Sequence, residues 1–444
     1  MRLSLLAFSS VLWGLCVLLA CPAHAATDIE VWHSLTGVSA QTLGQLTQRF
    51  NSEQTEVHVN LVYKGDARAI ADAAIEAVRT RQLPDLIQVQ DTETSRLLAV
   101  KGLLHPIWEV LPLIKSSDFN FTVPASASFV RDAHGHLQAF PLTLGVPVLL
   151  YNRDEYKKVG LDPDVAPRTW KEMQKHLVTL KDEGRGLACT YTTSRPWYIH
   201  IVSVAATDGN AFATRDNGLE GSGAVLTFND LLHVRHLAMT ESWVKGELFQ
   251  YSGRNNEGDA RFASGECSTL TTSTDELGDI LAAAKFPIGA APLPYDEEES
   301  DGPRSTLVSG SGLWAVQGKK PEQYRATSRF LSYLASPVVA AQWTQATGSL
   351  PINGAALAAS ESSFAYSRVP GLLPLMRSGS APATPGSRGV HLPEIDAVRD
   401  ETDAELELVW SGQKPPKQGL DDAVRSGNLL LRRAEASGPG KPRV

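Results

Sequence analysis

The sequence predicts an α/β protein of two lobes, each carrying a doubly wound sheet, with a hinge between them. At 444 residues the chain exceeds what one compact core holds and suits two domains. Its N-terminal part alternates strand-like and helix-like periods in the order βαβαβ, which calls for a largely parallel sheet with crossover helices. Inside the stretch Ala139–Gly160, the run Pro147-Val148-Leu149-Leu150-Tyr151 then lies between Gly145 and Asn152-Arg153-Asp154. Such an apolar, partly β-branched run reads as a buried strand entering a helix, here one that leaves the first lobe for the second. Open α/β sheets bind ligands beyond their strand ends and at domain junctions, so the cleft it floors is the expected site.

Ile29, Val31 and Trp32 open the first strand, which ends at His33-Ser34, and Val38, Leu43, Leu46 and Phe50 recur at helical spacing after it. Val57, Val59 and Leu61 alternate as a second strand that ends at Tyr63-Lys64-Gly65. A helix with Asp66 near its start follows, with Ile70, Ala74, Ile75 and Val78 on one face. Pro84 to Val89 is the third strand. The polar ends of these strands, His33-Ser34, Lys64-Gly65 and Gln90-Asp91, should meet at one edge of the sheet, with Trp32 in the core or at that edge. Asp91 can also cap the helix beginning at Thr92.

Beyond the hinge stretch, Thr169 and Glu172 form a capping box for a helix. Cys189 to Tyr191 is a short strand, and Ser194-Arg195-Pro196-Trp197-Tyr198 reads as an aromatic loop whose Trp197 and Tyr198 can wall the cleft. His233 and His236 stand at i, i+3 on a helix, but with no Glu-x-x-His pattern and no Cys partner they read as a solvated face and not as a metal site. His134-Gly135-His136 reads as a hairpin turn. Ser268 to Thr274 is a polar run rich in hydroxyls, and Asp296 to Asp301 an acidic surface loop without order. Thr306 to Trp314 returns to strand character; Gly310 and Gly312 in it admit either a close backbone approach to an anion or a tight β-bulge. Helices follow over Pro321–Leu334 and up to Gly348. A loose Ser360–Val390 segment comes next, then a helical stripe of Ile395, Val398, Thr402, Leu406 and Val409 with Arg399 beside it, a last helix over Leu420–Arg433, and a frayed tail from Ala434.

Composition narrows the function. The formal net charge is -8 and both signs are interspersed, which argues against a nucleic-acid footprint. Nine Trp favour a site that stacks on polar organic ligands. Arg2, the apolar Leu5 to Leu19 and the site Ala23-His24-Ala25 before Ala26 read as a cleaved signal peptide over 1–25, so the mature chain is expected outside the cytoplasm. Leu18 to Cys21 offers the alternative of a lipoprotein box with Cys21 as anchor. No later stretch reaches the ~20 apolar residues of a spanning helix. Removal of the leader leaves Cys189 and Cys267, either a disulfide in an oxidising compartment or two small buried thiols. No nucleophile elbow, Walker loop or zinc-protease helix is present, and no catalytic constellation forms.

Seven motifs stand in order along the chain: Trp32-His33-Ser34; Tyr63-Lys64-Gly65; Pro147-Val148-Leu149 with Tyr151-Asn152; Tyr251 with Gly253-Arg254; Pro294-Tyr295-Asp296; Trp314 with Gln317-Gly318-Lys319; and Leu350-Pro351-Ile352. Together they resemble the glycerol-3-phosphate-binding receptors of ABC importers, in family 1 of the extracellular solute-binding proteins, the maltose-binding-like group. The resemblance spans the mature chain. It implies the two-lobed periplasmic-binding-protein type II fold, with a first lobe of 26–144 plus 306–355 and a second of 145–305 plus 356–444. It also implies a periplasmic, monomeric receptor that is no enzyme, needs no cofactor or metal, captures sn-glycerol 3-phosphate or a related glycerophosphodiester, and docks on inner-membrane permease subunits with their ATPase.

Carried over by position, the resemblance puts the hydroxyl-accepting carboxylate on Asp91, where the family has Glu, and a hydroxyl donor on Ser273. A backbone contact falls on Gly310 and the phosphate-binding arginine on Arg399, whose planar fork suits two phosphate oxygens. Three positions depart from the family. Tyrosines are replaced by Ala67 and Ser349, and a serine by Gly145. Up to three hydrogen-bond donors go with them, each ~0.5–1.5 kcal/mol. The lost bulk implies a wider pocket, which leaves another polyol or a sugar as the alternative ligand. An exported phosphodiesterase or glycosidase is the alternative of a different class.

Overall fold

The computed structural model describes residues 26–437 apart from 133, 362–367 and 379–382. The leader over 1–25, with the alternative anchor Cys21, lies outside the described residues, as does the tail beyond 437.

The βαβαβ start is present as β1 (Thr27–His33), α1 (Gly37–Glu53), β2 (Val57–Tyr63), α2 (Ala67–Thr80), β3 (Leu86–Gln90) and α3 (Asp91–Leu98). Short β4 (Leu104–His105) and then β5 (Phe140–Gly145) follow. Only Val146 separates β5 from β6 (Pro147–Asn152), which belongs to a second sheet with β7 (Cys189–Thr193), β8 (Cys267–Ser273) and β9 (Ile288–Pro292). The chain then returns to the first sheet as β10 (Ser309–Val316).

The first sheet runs β2-β1-β3-β10-β4, with β5 also paired to β10. The β1 pairings with β2 and β3 are parallel, and β10 is inserted antiparallel to its neighbours. The second sheet runs β7-β8-β6-β9, with β6 antiparallel to β8 and β9. The stretch expected to join two lobes thus lies in both sheets: β5 and β6 are buried along their whole length. Two apolar cores form. One packs Val31, Leu86 and Trp314 with Phe330; the other packs Tyr191, Trp243, Phe249 and Trp410.

Three local expectations are corrected, and one polar run without an assigned element is a strand. The aromatic segment at Trp197 is not a loop: Trp197–Ser203 forms a π-helix that continues as an α-helix over Val204–Thr207. Pro196 suits a helix start, and residues 197–207 are all buried, as a helix apolar on every side requires. His233 and His236 do not face solvent. On the helix Leu231–Lys245 both are buried, with His236 Nε2 2.9 Å from His200 Nδ1 and His233 between Asp230 and the Ile201 carbonyl. The hydroxyl run after Cys267 is β8, buried at every residue. The acidic loop is held in place, since Asp208 accepts hydrogen bonds from Asp296 N and Ser300 Oγ.

Other expectations meet their elements directly. Thr169 accepts from Glu172 N at 3.1 Å at the head of the helix Trp170–Glu183, while the Glu172 carboxylate accepts from Arg168 N at 2.7 Å and not from Thr169 N, so half of the expected capping box forms. Trp32 is buried in the core. Arg131 pairs with Leu137 around the His134-Gly135-His136 turn, where Gly135 has φ +84°. Cys189 and Cys267 face each other in the register of β7 and β8 and are bridged.

Candidate functional site

A cavity of about 480 Å³ opens where the two sheets face each other. From the first sheet come Ser34, Tyr63, Gln90, Asp91 and Ser309 at strand ends or just past them, with Gln88 and Thr143 from within β3 and β5. Strand ends gather there because parallel strands all stop at one edge, so Ser34 and Asp91, far apart in sequence, share a wall. Of the other strand-end residues expected here, His33, Lys64 and Gly65 do not line the cavity. Lys64 instead lies over the Trp32 ring at 4.0 Å.

The first wall is tied together by neutral groups. Gln88 Oε1 accepts from Ser34 N and Ser34 Oγ, both at 2.8 Å, and Thr143 Oγ1 meets Ser311 Oγ at 2.8 Å. Asp91 starts α3 and accepts from Thr92 N at 2.8 Å, so it serves the helix start and the cavity together. Burial raises its pKa, while the Ser309 hydroxyl, Arg195 and the Thr92 and Gly310 amides pull it back.

The opposite wall is ionic. Arg195 has a left-handed backbone, φ 48°, fixed by its N–H donating to Asn255 O at 2.8 Å. Its guanidinium donates to Glu276 Oε1 at 2.5 Å and stands 3.9 Å from Asp275. Burial alone would lower the Arg195 pKa, but Asp275, Glu276 and Asp91 outweigh it and hold the group charged. Burial raises Glu276, with Arg195 opposing. Arg254 is gripped by Glu407, its Nε donating at 2.8 Å. Arg399, on the helix Ile395–Trp410, donates to Asp400 at 3.3 Å. Asp403 accepts from Trp197 N at 3.0 Å, and burial pushes its pKa up to about 7 against the pull of Arg399 and Arg254. Trp197 and Tyr198 wall the cavity from their helix, with the Tyr198 hydroxyl donating to Leu307 O at 3.2 Å.

The residues named from sequence therefore divide. Asp91, Arg399, Ala67, Trp197 and Tyr198 line the cavity. Ser273, Gly310, Gly145 and Ser349 stand behind its lining. Ser273 ends β8 fully buried, beside the Tyr198 hydroxyl. Gly310 lies where β10 presses on β5: with φ +145°, a side chain there would strike the Thr143 carbonyl, and the register shifts between Ser311 and Gly312. Its bare backbone thus meets a neighbouring strand, and its amide helps to hold Asp91.

The wider pocket expected from lost side chains is found at one of three positions. Ala67 leaves the head of α2 open to the cavity. Ser349 is buried, its Oγ accepting from Leu144 N at 2.8 Å. At Gly145 the space is filled, since a Cβ there would overlap Asp275 Oδ1 and Ser273 Oγ.

Sequence reasoning missed Arg195, Arg254, Asp275, Glu276 and Asp403. Arg254 stands inside the Gly253-Arg254 motif, a signal that was available. Asp403 lies one helical turn after Arg399, at the spacing that puts two residues on one face. Asp275 and Glu276 carry no such signal. Among the described residues, no group of three or more His, Cys, Asp or Glu that could hold a metal ion occurs.

Comparison with known proteins agrees with this architecture. A family described as bacterial extracellular solute-binding protein matches residues 45–368. The sn-glycerol-3-phosphate-binding periplasmic protein UgpB of Pectobacterium atrosepticum is 36% identical over 426 residues, 95% of each chain. UgpB of Escherichia coli strain K12 is 36% identical over 418 residues, 94% of this chain and 95% of its own. Among solved structures, UgpB from Mycobacterium tuberculosis in complex with glycerophosphocholine superposes with a TM-score of 0.74 at 19% identity, covering 92% of this chain and 99% of that one. The GacH receptor of Streptomyces glaucescens, solved unliganded and with acarbose, does so with 0.74 at 18%, over 92% and 99%. These likenesses show the fold, that of the type II periplasmic binding proteins. With its fold, its cleft and its relatives in agreement, the chain belongs to the bacterial extracellular solute-binding proteins.

Proposed function

We propose that the protein is the periplasmic receptor of an ABC importer, which captures sn-glycerol 3-phosphate or a glycerophosphodiester and delivers it unchanged. Its partners in that role are the permease subunits and ATPase of the inner membrane, which it meets as a monomer after the two lobes have closed on the solute. The observation that carries this reading is that one cavity holds both Arg399 and Asp91. Asp400, the partner of Arg399 at 3.3 Å, is itself gripped by Arg68 at 2.7 Å, which leaves Arg399 donors for phosphate oxygens. Asp91 accepts the solute's hydroxyls, and Trp197 covers its carbon chain. The 36% identical relatives, named for binding sn-glycerol 3-phosphate, support the same ligand.

One observation favours a second reading, a receptor for another polyol or a sugar. Asp66, Asp91, Asp275, Glu276, Asp279 and Asp403 face the cavity against Arg195, Arg254 and Arg399, an excess of carboxylates that disfavours a dianion. A neutral polyol or sugar meets less repulsion, and within the first reading so does a zwitterionic diester such as glycerophosphocholine. A hydrolytic role has less support, because Glu276 is engaged by Arg195 and Glu407 by Arg254. Calorimetric titration with sn-glycerol 3-phosphate, glycerophosphocholine and a disaccharide tests the assignment. Binding of a glycerol phosphate compound without product release supports it; binding of the disaccharide alone overturns the ligand, and turnover overturns the receptor.

A further inference from the structure

Gly145 and Asp275 lie 130 positions apart in sequence and share one space. A Cβ on Gly145 would coincide with the Asp275 carboxylate and the Ser273 hydroxyl. Asp275 therefore lies where a side chain at 145 would point, and it lines the cavity that such a side chain would have faced. Its side chain is 6% exposed, and Oδ1 accepts no hydrogen bond from any described residue. A buried carboxylate oxygen with no donor is costly, which marks it as an acceptor held for a donor from outside the chain. Arg195, 3.9 Å away and bound more closely to Glu276, supplies charge compensation without supplying that hydrogen bond.

We propose that Asp275 is a specificity-determining residue that accepts a hydrogen bond from a hydroxyl of the bound solute. It takes over the place left by the missing side chain at Gly145 and turns that place from a donor or acceptor into an acceptor only. The arrangement selects a hydroxyl over the other candidates. An ammonium group would meet the guanidinium of Arg195 beside it, and a phosphate would meet Asp275, Glu276 and Asp91 together. The cavity thereby gains a direction: hydroxyl-bearing carbons lie toward Asp275 and Asp91, and the charged end lies toward Arg399. This rests on the receptor reading above and narrows its ligand to a solute with a free hydroxyl at the Asp275 side.

The test is a double cycle on the mature chain, read by calorimetry with sn-glycerol 3-phosphate, glycerophosphocholine and a disaccharide, each beside an analogue lacking one hydroxyl. Asp275→Ala should weaken the solute that binds by about tenfold or more, and Asp275→Asn, which keeps an acceptor, by less. For one hydroxyl, the deoxy analogue should lose affinity in the wild type and little further in Asp275→Ala. Equal losses for every hydroxyl in both proteins overturn the inference while leaving the receptor reading intact. A disaccharide as the only ligand overturns the glycerol phosphate assignment, and the same cycle then runs on its own deoxy analogues. Thermal denaturation of Gly145→Ser with and without Asp275→Gly supplies the ligand-free check: the serine should destabilise the first chain and be tolerated in the second, and equal destabilisation counts against the shared space.

Discussion

The two walls of the cavity are built from different chemistry. The first lobe contributes hydroxyls and amides tied to one another, as in the Ser34–Gln88 pair, around two carboxylates, Asp66 and Asp91. The second lobe contributes fixed ions: Arg195 with Asp275 and Glu276, Arg254 with Glu407, and Arg399 beside Asp400. Neutral hydrogen-bonding groups accommodate many polar solutes at similar cost, whereas a buried ion discriminates sharply between charges. The difference places discrimination in the second lobe and gives the first the part of a closing face.

The carboxylates of the ionic wall hang from β8, whose last residue, Ser273, is followed by Thr274, Asp275 and Glu276. This strand is packed with hydroxyls and not with large apolar groups, and its Cys267 is stapled to Cys189 across 78 residues. A cross-link over such a loop removes much unfolded-chain entropy, so the Cys189→Ala/Cys267→Ala protein should lose about 3 kcal/mol of stability in urea denaturation. The loss should fall on the second lobe, with hydrogen exchange quickening in β7 and β8 and unchanged in β1 to β3. Uniform quickening would mean that the lobes do not differ in what holds them.

Arg399→Ala should weaken any phosphate-bearing solute by about 2 kcal/mol, the value of hydrogen bonds to a charged group. Ser34→Ala in the neutral wall should cost at most about 1 kcal/mol, the value of an ordinary hydrogen bond. Titration of both variants against the same solute gives the ratio directly, and equal effects would erase the distinction between the walls.

The first sheet was legible in the sequence for the reason that its wall is simple. Alternating Val57, Val59 and Leu61, the helical stripe from Ile70 to Val78 and the strand-end polar pairs are local patterns, and local patterns fix where Ser34 and Asp91 arrive. The ionic wall was not legible. Arg195 lies in a segment whose Pro196 and aromatics resemble a loop until their burial shows a π-helix, and β8 lacks the apolar alternation by which strands are read. The filling of the Gly145 space by Asp275 depends on a contact between β5 and the turn after β8, which no window of sequence contains. Even the resemblance to a known family, which located Asp91 and Arg399, named Gly145 and Ser349 as openings that the packing closes.

Asp403 offers a pH test of the second wall. Its pKa rises from the usual carboxylate range to about 7, so between those values the folded chain holds a proton that the unfolded chain has lost. Stability from this group is complete at low pH and is lost as pH rises through 7. Asp403→Asn keeps an acceptor for Trp197 N and removes the titration. The variant should therefore gain on the wild type as pH rises from 4 to 8, read as unfolding free energy in urea denaturation. A difference independent of pH would show that Arg399 and Arg254 already stabilise the charged form fully.

The smallest expected effect is the most discriminating between the walls, because it joins them. Arg68, on α2 of the first lobe, reaches across the cleft to Asp400 at 2.7 Å and Asp396 at 3.4 Å. Its side chain is 49% exposed, so the pair contributes only ~0.5 kcal/mol and weakens with salt. Its position matters more than its strength, since Asp400 is shared between Arg68 and Arg399. With Arg68→Ala, Asp400 turns its charge to Arg399 and competes with a bound phosphate, an effect a neutral sugar does not feel. Affinity for a phosphate solute should fall by about 0.5 kcal/mol at low ionic strength and recover toward the wild type in salt. An equal fall for charged and neutral solutes would assign Arg68 to holding the lobes together, and the first wall would then contribute closure alone.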